Sequence, residues 1–286
     1  MSRELDRSQL IDRSIQKKYR KTVWNPLIAA VKRYELLAPG DKVAVCISGG
    51  KDSMLLAKLM QQLHELTEFP FELVYLVMDP GYSPANRARI EENAALLCLP
   101  ITVFETNVFD VANRTGRSPC YLCARMRRGH LYSQARALGC NKIALGHHFN
   151  DVVETTVLSM FYGSQMQAMP PKLRSRNFPG MELIRPLYCV QEDDIIAWAN
   201  YNQLEFLQCA CRFTEDTARE NSETTSKRKE VKQLLRQLKQ TNPNIEKSIF
   251  HSIHSVRLDT MVGCKSGGVE YDFPALYRSR KPEENE

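Results

Sequence analysis

The 286-residue sequence lacks any apolar run that approaches the roughly 18 residues needed to cross a membrane. Its first twenty residues are polar and charged, and no signal peptide is visible. We therefore expect a cytoplasmic protein with no membrane partner. The nine cysteines would then remain reduced and serve packing, metal binding or catalysis, because disulfides are rare in that compartment.

Two familiar phosphate-binding loops are also missing. A Walker A loop needs a glycine five positions before its Gly-Lys pair and a Ser or Thr directly after it, and these positions hold Val45 and Asp52. A dinucleotide-binding G-x-G-x-x-G is absent because Gly49 and Gly50 are adjacent. These absences exclude the two commonest nucleotide motifs.

A strand, a glycine turn and a helix N-terminus nevertheless follow one another over residues 43–53. A β-branched run predicts a buried strand, and an apolar periodicity that starts after Asp52 predicts a helix. The first N–H groups of a helix lack intrahelical partners and bind anions. Gly49 and Gly50 let the backbone approach a phosphate without a Cβ, and Lys51 adds a cation. We therefore predict a phosphate-binding loop.

Strand and helix patterns alternate over the following hundred residues, which predicts an α/β fold with a parallel sheet and helices on both faces. Ligands of such sheets bind at the carboxyl ends of the strands. We predict a basic helical arm over residues 1–40, a nucleotide-binding domain over 41–215, a charged helical extension over 216–262 and a poorly ordered tail over 263–286.

Positive charge is concentrated at the start of the chain. Residues 1–40 carry nine Lys and Arg against four acids, which is nearly all of the net charge of +6. A basic arm suits a polyanion such as RNA, and a solvated helix surface explains the same pattern equally well.

The cysteines supply a second signal, because Cys120 and Cys123 are spaced C-x-x-C, and Cys209 and Cys211 are spaced C-x-C. Four cysteines could hold a structural zinc, whereas three could hold a 4Fe–4S cluster with one iron left open. A thioredoxin-type redox pair is a weaker alternative, because the pair does not follow a first strand. Spacing alone leaves these alternatives open.

Several motifs together resemble the TtcA family of tRNA 2-thiocytidine synthetases, which are PP-loop ATP pyrophosphatases with an adenine-nucleotide α-hydrolase-like fold. The motifs are S-G-G-K-D-S, P-C-Y-L-C-A-R-M-R-R-G, K-I-A-L-G-H-H-F-N-D-V-V-E-T, F-Y-G-S-Q-M-Q-A-M-P-P-K-L and I-R-P-L. The resemblance runs from about residue 15 to 215, and the order of the motifs is more specific than any one of them.

The resemblance implies that ATP binds at the PP-loop and adenylates the C2 oxygen of a cytidine, at position 32 of tRNA. A cysteine desulfurase or another donor then supplies the sulfur that replaces this oxygen. The resemblance also implies a 4Fe–4S cluster on Cys120, Cys123 and Cys209. Cluster enzymes of this type are often dimers, so homodimerisation is a further expectation.

The phosphate loop and the family motifs together define a predicted ATP and Mg²⁺ site. Lys51, Asp52 and Asp151 are the predicted catalytic residues, with Mg²⁺ neutralising the departing pyrophosphate. For Asp79 a turn role is the alternative to a place near the adenosine. The predicted nucleotide-binding residues are Ser48, Gly49, Gly50, Lys51, Asp52, Ser53, Gly146 and His147.

The sequence departs from the family pattern at three places. Asn150 stands where the family usually has the first of two aspartates, and Cys211 leaves open which cysteine is the third ligand. Residues beyond about 215 are not matched. The remaining thiols in apolar surroundings are expected to be packed and unreactive, namely Cys46, Cys98, Cys140 and Cys189.

Two other functions remain as alternatives. One is a PP-loop ligase or amidase of lysidine-synthetase type, which needs no cluster and would leave Cys120, Cys123 and Cys209 unexplained. The other is a nucleotide-sensing RNA-binding module with a structural zinc.

Overall fold

The structure is a computed structural model that describes residues 5–108, 119–207 and 223–279. For residues 119–124, 223–226 and 279 it describes the backbone alone. The described residues fall into two compact units that divide between Leu234 and Leu235. This division lies nineteen residues beyond the expected end of the nucleotide-binding domain at residue 215.

Within the described residues of the first unit, one sheet has the strand order β3-β2-β1-β4-β6-β5. Its strands are β1 Lys42–Ile47, β2 Glu72–Asp79, β3 Ile101–Glu105, β4 Lys142–Ala144, β5 Lys172–Arg174 and β6 Glu182–Ile184. All pairs are parallel except β5 with β6. The predicted α/β class is therefore confirmed.

The helices of the first unit follow the strands in the expected alternation. Asn25–Arg33 carries Pro26 in its first turn, as its fixed φ and missing N–H favour. The helices are α1 Arg7–Gln16, α2 Asn25–Arg33, α3 Lys51–Leu66, α4 Pro84–Leu96, α5 Pro119–Ala137, α6 Phe149–Gly163, α7 Glu192–Tyr201 and α8 Glu223–Thr241, which continues into the second unit.

Strand β5 has no strand signal in the sequence, because residues 163–186 show no regular periodicity. The strand is three residues long, and Leu173 at its centre is exposed. An edge strand that buries neither face shows no hydrophobic alternation, so its pairing with Glu182–Ile184 depends on the tertiary structure.

The sheet is buried by helices because its central strands are apolar on both faces. Ala44, Cys46 and Leu76 pack with Tyr132 and Ala135 of α5 on one side. Cys46 and Cys140 are buried, and burial raises the pKa of both thiols, that of Cys46 to about 12. These two cysteines are packed as predicted.

The prediction that Cys98 is packed is wrong. Cys98 is exposed in the turn after α4, where it adopts a φ of 52° and its Sγ lies 3.3 Å from the Ser8 hydroxyl. The apolar neighbours in sequence, Leu97 and Leu99, are buried instead.

The second unit contains short elements where a poorly ordered tail was predicted. β7 Gly263–Ser266 and β8 Val269–Asp272 form an antiparallel hairpin around Gly267 and Gly268, both with positive φ. α10 Phe273–Ser279 follows, and α9 Ile245–Ser252 precedes the hairpin. The strands are only four residues long and their side chains are mostly exposed, so their sequence carries no strong periodicity.

Among the described residues, none of the helices combines the length and apolar character that a bilayer crossing requires.

Candidate active site

The predicted phosphate loop joins the end of β1 to the start of α3, with Gly50 at the helix N-cap. Ser53 Oγ donates to the Gly50 carbonyl at 2.9 Å and accepts the Ser48 N–H at 3.1 Å. Gly49 has a φ of +83°, and a Cβ there would lie 2.7 Å from Ile90 Cγ1. The loop is thus held closed by Ser53 and requires glycine at position 49.

Gly146 brings the end of β4 against the start of α3. β1 and β4 run side by side in parallel, with Val45 opposite Ala144. A Cβ on Gly146 would lie 3.1 Å from both the carbonyl carbon of Asp52 and the nitrogen of Ser53. Glycine is therefore needed for this close backbone approach, which agrees with the predicted place of Gly146 at the nucleotide site.

The two adjacent histidines have different roles. His148 caps α6. Its ring Nδ1 accepts the backbone N–H of Asp151 at 3.4 Å, and its backbone N–H donates to Asp151 Oδ2 at 3.0 Å. His147 faces the loop cavity, and its Nδ1 is buried with no hydrogen-bond partner among the described residues. His147 is therefore available to a ligand, whereas His148 is engaged by the helix.

His147 is neutral at pH 7, because burial and the nearby Arg185 lower its pKa to about 4. The unfolded chain, with an ordinary histidine pKa of 6.5, binds the proton more tightly between these values. Folding stability should therefore fall as the pH decreases from 6.5 towards 4. Between pH 7 and pH 5, His147 should lower the free energy of unfolding of the wild type by roughly 1–2 kcal/mol, and His147→Gln should lack this decrease. Urea unfolding at both pH values measures the difference.

The control for this measurement is His64→Gln, because His64 is exposed on α3. Equal pH sensitivity in wild type and His147→Gln would show that His147 is not the titrating group.

Lys51 lies in a chain of charges that links the phosphate loop to α7 and α8. Its Nζ is 3.1 Å from Asp52 Oδ1 and 3.3 Å from Glu192 Oε1. Glu192 Oε2 is in turn 2.6 Å from Lys232 Nζ. Burial opposes the charged form of Glu192, but Lys232 and Lys51 outweigh it and lower the pKa to about 2. Lys51 is thus oriented by carboxylates at the loop.

Asp151 and Glu154 on α6 both bind Arg228 of α8. Arg228 Nη2 is 2.6 Å from Asp151 Oδ1, and Nε is 2.9 Å from Glu154 Oε2. Glu154 is buried, so its charge needs this partner. Sequence analysis missed Arg228, Lys232 and Glu192. The charged pattern of α8 was visible, but it is also typical of a solvated helix.

A cavity of about 360 Å³ opens at the carboxyl ends of β1, β2 and β4. Of the predicted nucleotide-binding residues, Ser48, Gly50, Asp52, Ser53, Gly146 and His147 belong to its wall. Met78 of β2 and Arg127 and Arg128 of α5 complete it, so two of the family-motif arginines face this cavity. We call it the loop cavity.

Asp52 and Asp151 are placed where they could share a cation. His148 Nε2 is 3.9 Å from Asp52 Oδ1 and 3.5 Å from Asp151 Oδ2, so both carboxylates flank one imidazole. Mg²⁺ commonly binds one or two carboxylates together with substrate phosphates and water. Among the described residues, no group of three or more His, Cys, Asp or Glu side chains is arranged to hold a metal ion, so any Mg²⁺ here would rely on these two carboxylates and the substrate.

The remaining predicted residues divide into three groups. Asp79 has the turn role: it accepts from the N–H groups of Gly81 and Tyr82 and from Arg87. Asn150 accepts the Glu192 N–H at 2.9 Å and thereby positions the start of α7. The backbone at Cys120 and Cys123 belongs to the first turn of α5, but their side chains and the whole of Cys209 lie outside the described residues.

The class of protein defined by this fold and loop is the PP-loop domain, whose family matches residues 12–241 of the chain. Curated relatives are more specific. The chain is 35% identical to the tRNA-cytidine(32) 2-sulfurtransferase of Anaeromyxobacter dehalogenans, over 79% of this chain and 76% of the relative. It is 33% identical to the protein of the same name from Geobacter metallireducens, over 85% and 92% of the two chains.

The chain therefore belongs to the tRNA-cytidine(32) 2-sulfurtransferase family of PP-loop proteins. Among solved structures, the U34-tRNA thiolase NcsA from Methanococcus maripaludis, determined with its 4Fe–4S cluster, has a TM-score of 0.64 at 20% identity. The alignment covers 84% of this chain and 80% of NcsA, which establishes the shared fold.

Proposed function

We propose that this protein is an ATP-dependent tRNA thiolase that replaces the C2 oxygen of a cytidine, at position 32 of tRNA, with sulfur. The observation that carries the proposal is the glycine loop at the end of β1, which Ser53 holds closed and which packs against Gly146. The family to which the chain belongs supports the same function. Its open helix N-terminus and Lys51 suit the phosphates of ATP.

The residues support an adenylation step. The C2 oxygen of the base attacks the α-phosphorus of ATP, and the bond to the bridging oxygen breaks so that pyrophosphate leaves. Lys51 and the loop N–H groups bind the phosphate charge, and Mg²⁺ on Asp52 and Asp151 would neutralise the leaving pyrophosphate. Sulfur at the sulfide level then attacks the adenylated carbon, and AMP departs with the former C2 oxygen. Persulfide sulfur from a desulfurase reaches that level with two electrons from a thiol reductant.

Within the loop cavity, neutral His147 cannot add positive charge at pH 7, although its ring nitrogen can hydrogen-bond to nucleotide. Arg127 and Arg128 line the same cavity and would bind phosphate oxygens.

The chemistry of the donor set fits an iron–sulfur cluster on Cys120, Cys123 and Cys209. Cys46, Cys140 and Cys189 are poor thiolates, because burial raises the pKa of each. Thiolates are the ligands that such clusters require. When bound to three thiolates, a 4Fe–4S cluster would supply an open iron that can carry a sulfur atom.

The partners in this proposal are tRNA and a sulfur donor such as a cysteine desulfurase. A cytoplasmic location and a homodimer complete the proposal, and neither is needed for the adenylation chemistry.

We predict that the gene restores 2-thiocytidine to tRNA in a bacterial strain that lacks its own tRNA-cytidine(32) 2-sulfurtransferase. Liquid chromatography and mass spectrometry of tRNA nucleosides measure this directly. Cys209→Ser should abolish the product and Cys211→Ser should retain it, because the family resemblance implies Cys209 as the third ligand. A wild-type gene that restores no 2-thiocytidine would contradict the proposed function, and lysidine in its place would favour the ligase alternative.

A further inference from the structure

A second cavity, of about 1030 Å³, adjoins the loop cavity at the start of α6. These three residues line both this cavity and the loop cavity. The second cavity is formed between α6 and the first part of α8, so all its lining residues belong to the first unit. Its volume is at the upper end of the range for ligand pockets, about 300–1,000 Å³.

The carboxylates of this cavity are only partly compensated. Arg228 binds Asp151 and Glu154, and Lys232 binds Glu192. Two cations are therefore paired with three carboxylates, and further cations are needed to attract a ligand that carries phosphates. Sequence analysis assigned no role to α8, and these ion pairs place it at the site.

Two further cations line the cavity, Lys227 and Lys229, and among the described residues no carboxylate lies within ion-pair distance of either. Together with Arg228 and Lys232, four cations of one helix line this cavity. A cluster of this kind attracts a polyanion, and its unpaired members are free to bind phosphates.

Tyr162 supplies an aromatic surface beside these cations. Its side chain is 45% exposed, and its hydroxyl donates to Glu230 Oε2 at 2.6 Å. Lys227 Nζ lies 5.5 Å from the centre of the ring. The hydroxyl contact to α8 holds the ring, and because Lys227 lies over one face, a base would stack on the other. Exposed aromatic rings next to Lys and Arg are how proteins hold unstacked RNA bases.

We propose that this second cavity is the binding site for a nucleotide of single-stranded RNA, with its base on Tyr162 and its flanking phosphates on Lys227 and Lys229. The assignment rests on the proposed function, because adenylation requires the base to meet the α-phosphate of ATP. The shared wall of Asp52, His147 and Asp151 is the place where the two substrates would meet.

The test uses the full chain, an anticodon stem–loop RNA and pyrophosphate release as the readout. Tyr162→Ala should raise KM for the RNA about tenfold and leave KM for ATP within twofold, because stacking is lost while the loop cavity is unchanged. Tyr162→Phe keeps the ring and should stay within threefold of wild type. Phe161→Ala is the matched control, because Phe161 is an exposed neighbour on α6 outside the cavity lining.

The lysines have a separate readout in the salt dependence of RNA binding. Replacing Lys227 and Lys229 by alanine together should reduce the slope of log K against log salt by about 1.4, since each single-strand phosphate contact contributes roughly 0.7. Fluorescence anisotropy of labelled RNA at several salt concentrations measures this slope.

Three outcomes would overturn the assignment. If Tyr162→Ala behaves like Phe161→Ala while wild type thiolates RNA, the cavity is not the RNA site and the proposed function stands. If Tyr162→Ala instead raises KM for the sulfur-donor protein and leaves KM for RNA unchanged, the surface binds that donor protein. If wild type itself shows no RNA-dependent pyrophosphate release, the proposed function fails, and this cavity assignment fails with it.

Discussion

Lys51→Ala should lower tRNA-dependent pyrophosphate release at least about 100-fold, which is the scale expected when one charged donor to a developing anion is removed. Lys51 carries the loop's only side-chain cation, and Asp52 and Glu192 raise its pKa against the opposing effect of burial, so it is fully charged at pH 7. A continuous pyrophosphate assay at saturating tRNA gives the rate, and titration with ATP gives the affinity.

The control for Lys51 is Lys265→Ala. Lys265 is exposed in the hairpin of the second unit. Its Nζ forms a surface ion pair with Glu270 Oε2 at 3.1 Å. We expect no more than a twofold change there. If Lys51→Ala retained more than a third of the wild-type rate, the loop lysine would not stabilise the phosphates and the adenylation scheme would need another cation.

Lys142→Met should reduce the free energy of unfolding by about 3–5 kcal/mol, because it leaves a buried carboxylate without its partner. Lys142 Nζ lies 2.7 Å from Asp41 Oδ2, and the two side chains are 3% and 6% exposed. Lys142 also donates to the Leu36 carbonyl at 2.9 Å. The pair fixes the start of β4, whose other end carries Gly146.

Urea unfolding followed by tryptophan fluorescence measures this loss, since Trp24 and Trp198 both belong to the first unit. Lys172→Met is the matched control. Lys172 contacts Glu182 at 3.2 Å but is 31% exposed, so its loss should cost less than about 1 kcal/mol. If Lys142→Met and Lys172→Met lowered the free energy of unfolding equally, burial of the Lys142–Asp41 pair would not explain its contribution to stability.

The pH dependence adds a second check on Lys142. Burial alone would raise the pKa of Asp41, but Lys142, Asn141 and the Ala38 N–H together lower it. Wild type therefore loses this stabilisation as the pH falls through the folded pKa of Asp41. In Lys142→Met the carboxyl becomes easier to protonate, so the difference between variant and wild type should narrow in acid.

The nucleotide half of the site could be predicted from sequence because its residues are neighbours along the chain. Ser48 to Ser53 are local, and the strand, turn and helix that present them follow from periodicity and from the glycines. Gly146 could be placed beside them because parallel strands end at one edge of the sheet.

The second half of the site could not be predicted in this way. Glu192 lies 141 residues from its partner Lys51, and Arg228 lies 77 residues from its partner Asp151. The charged pattern of the helix that carries Arg228 and Lys232 is also typical of a solvated helix. The two adjacent histidines make the same point: both stand at the end of a strand, but only the structure shows that the His148 ring caps α6. The partner of each side chain depends on how the tertiary structure orients it.

The sequence by itself determined the fold class, the phosphate loop and the family, because each is written in local spacing: a buried strand, two adjacent glycines and a helix start. Only the tertiary structure decided that α8 returns its cations to Asp151, Glu154 and Glu192 and encloses a second cavity beside the first. The physical reason is that ion pairs between distant segments depend on distance in space, which no periodicity along the chain records.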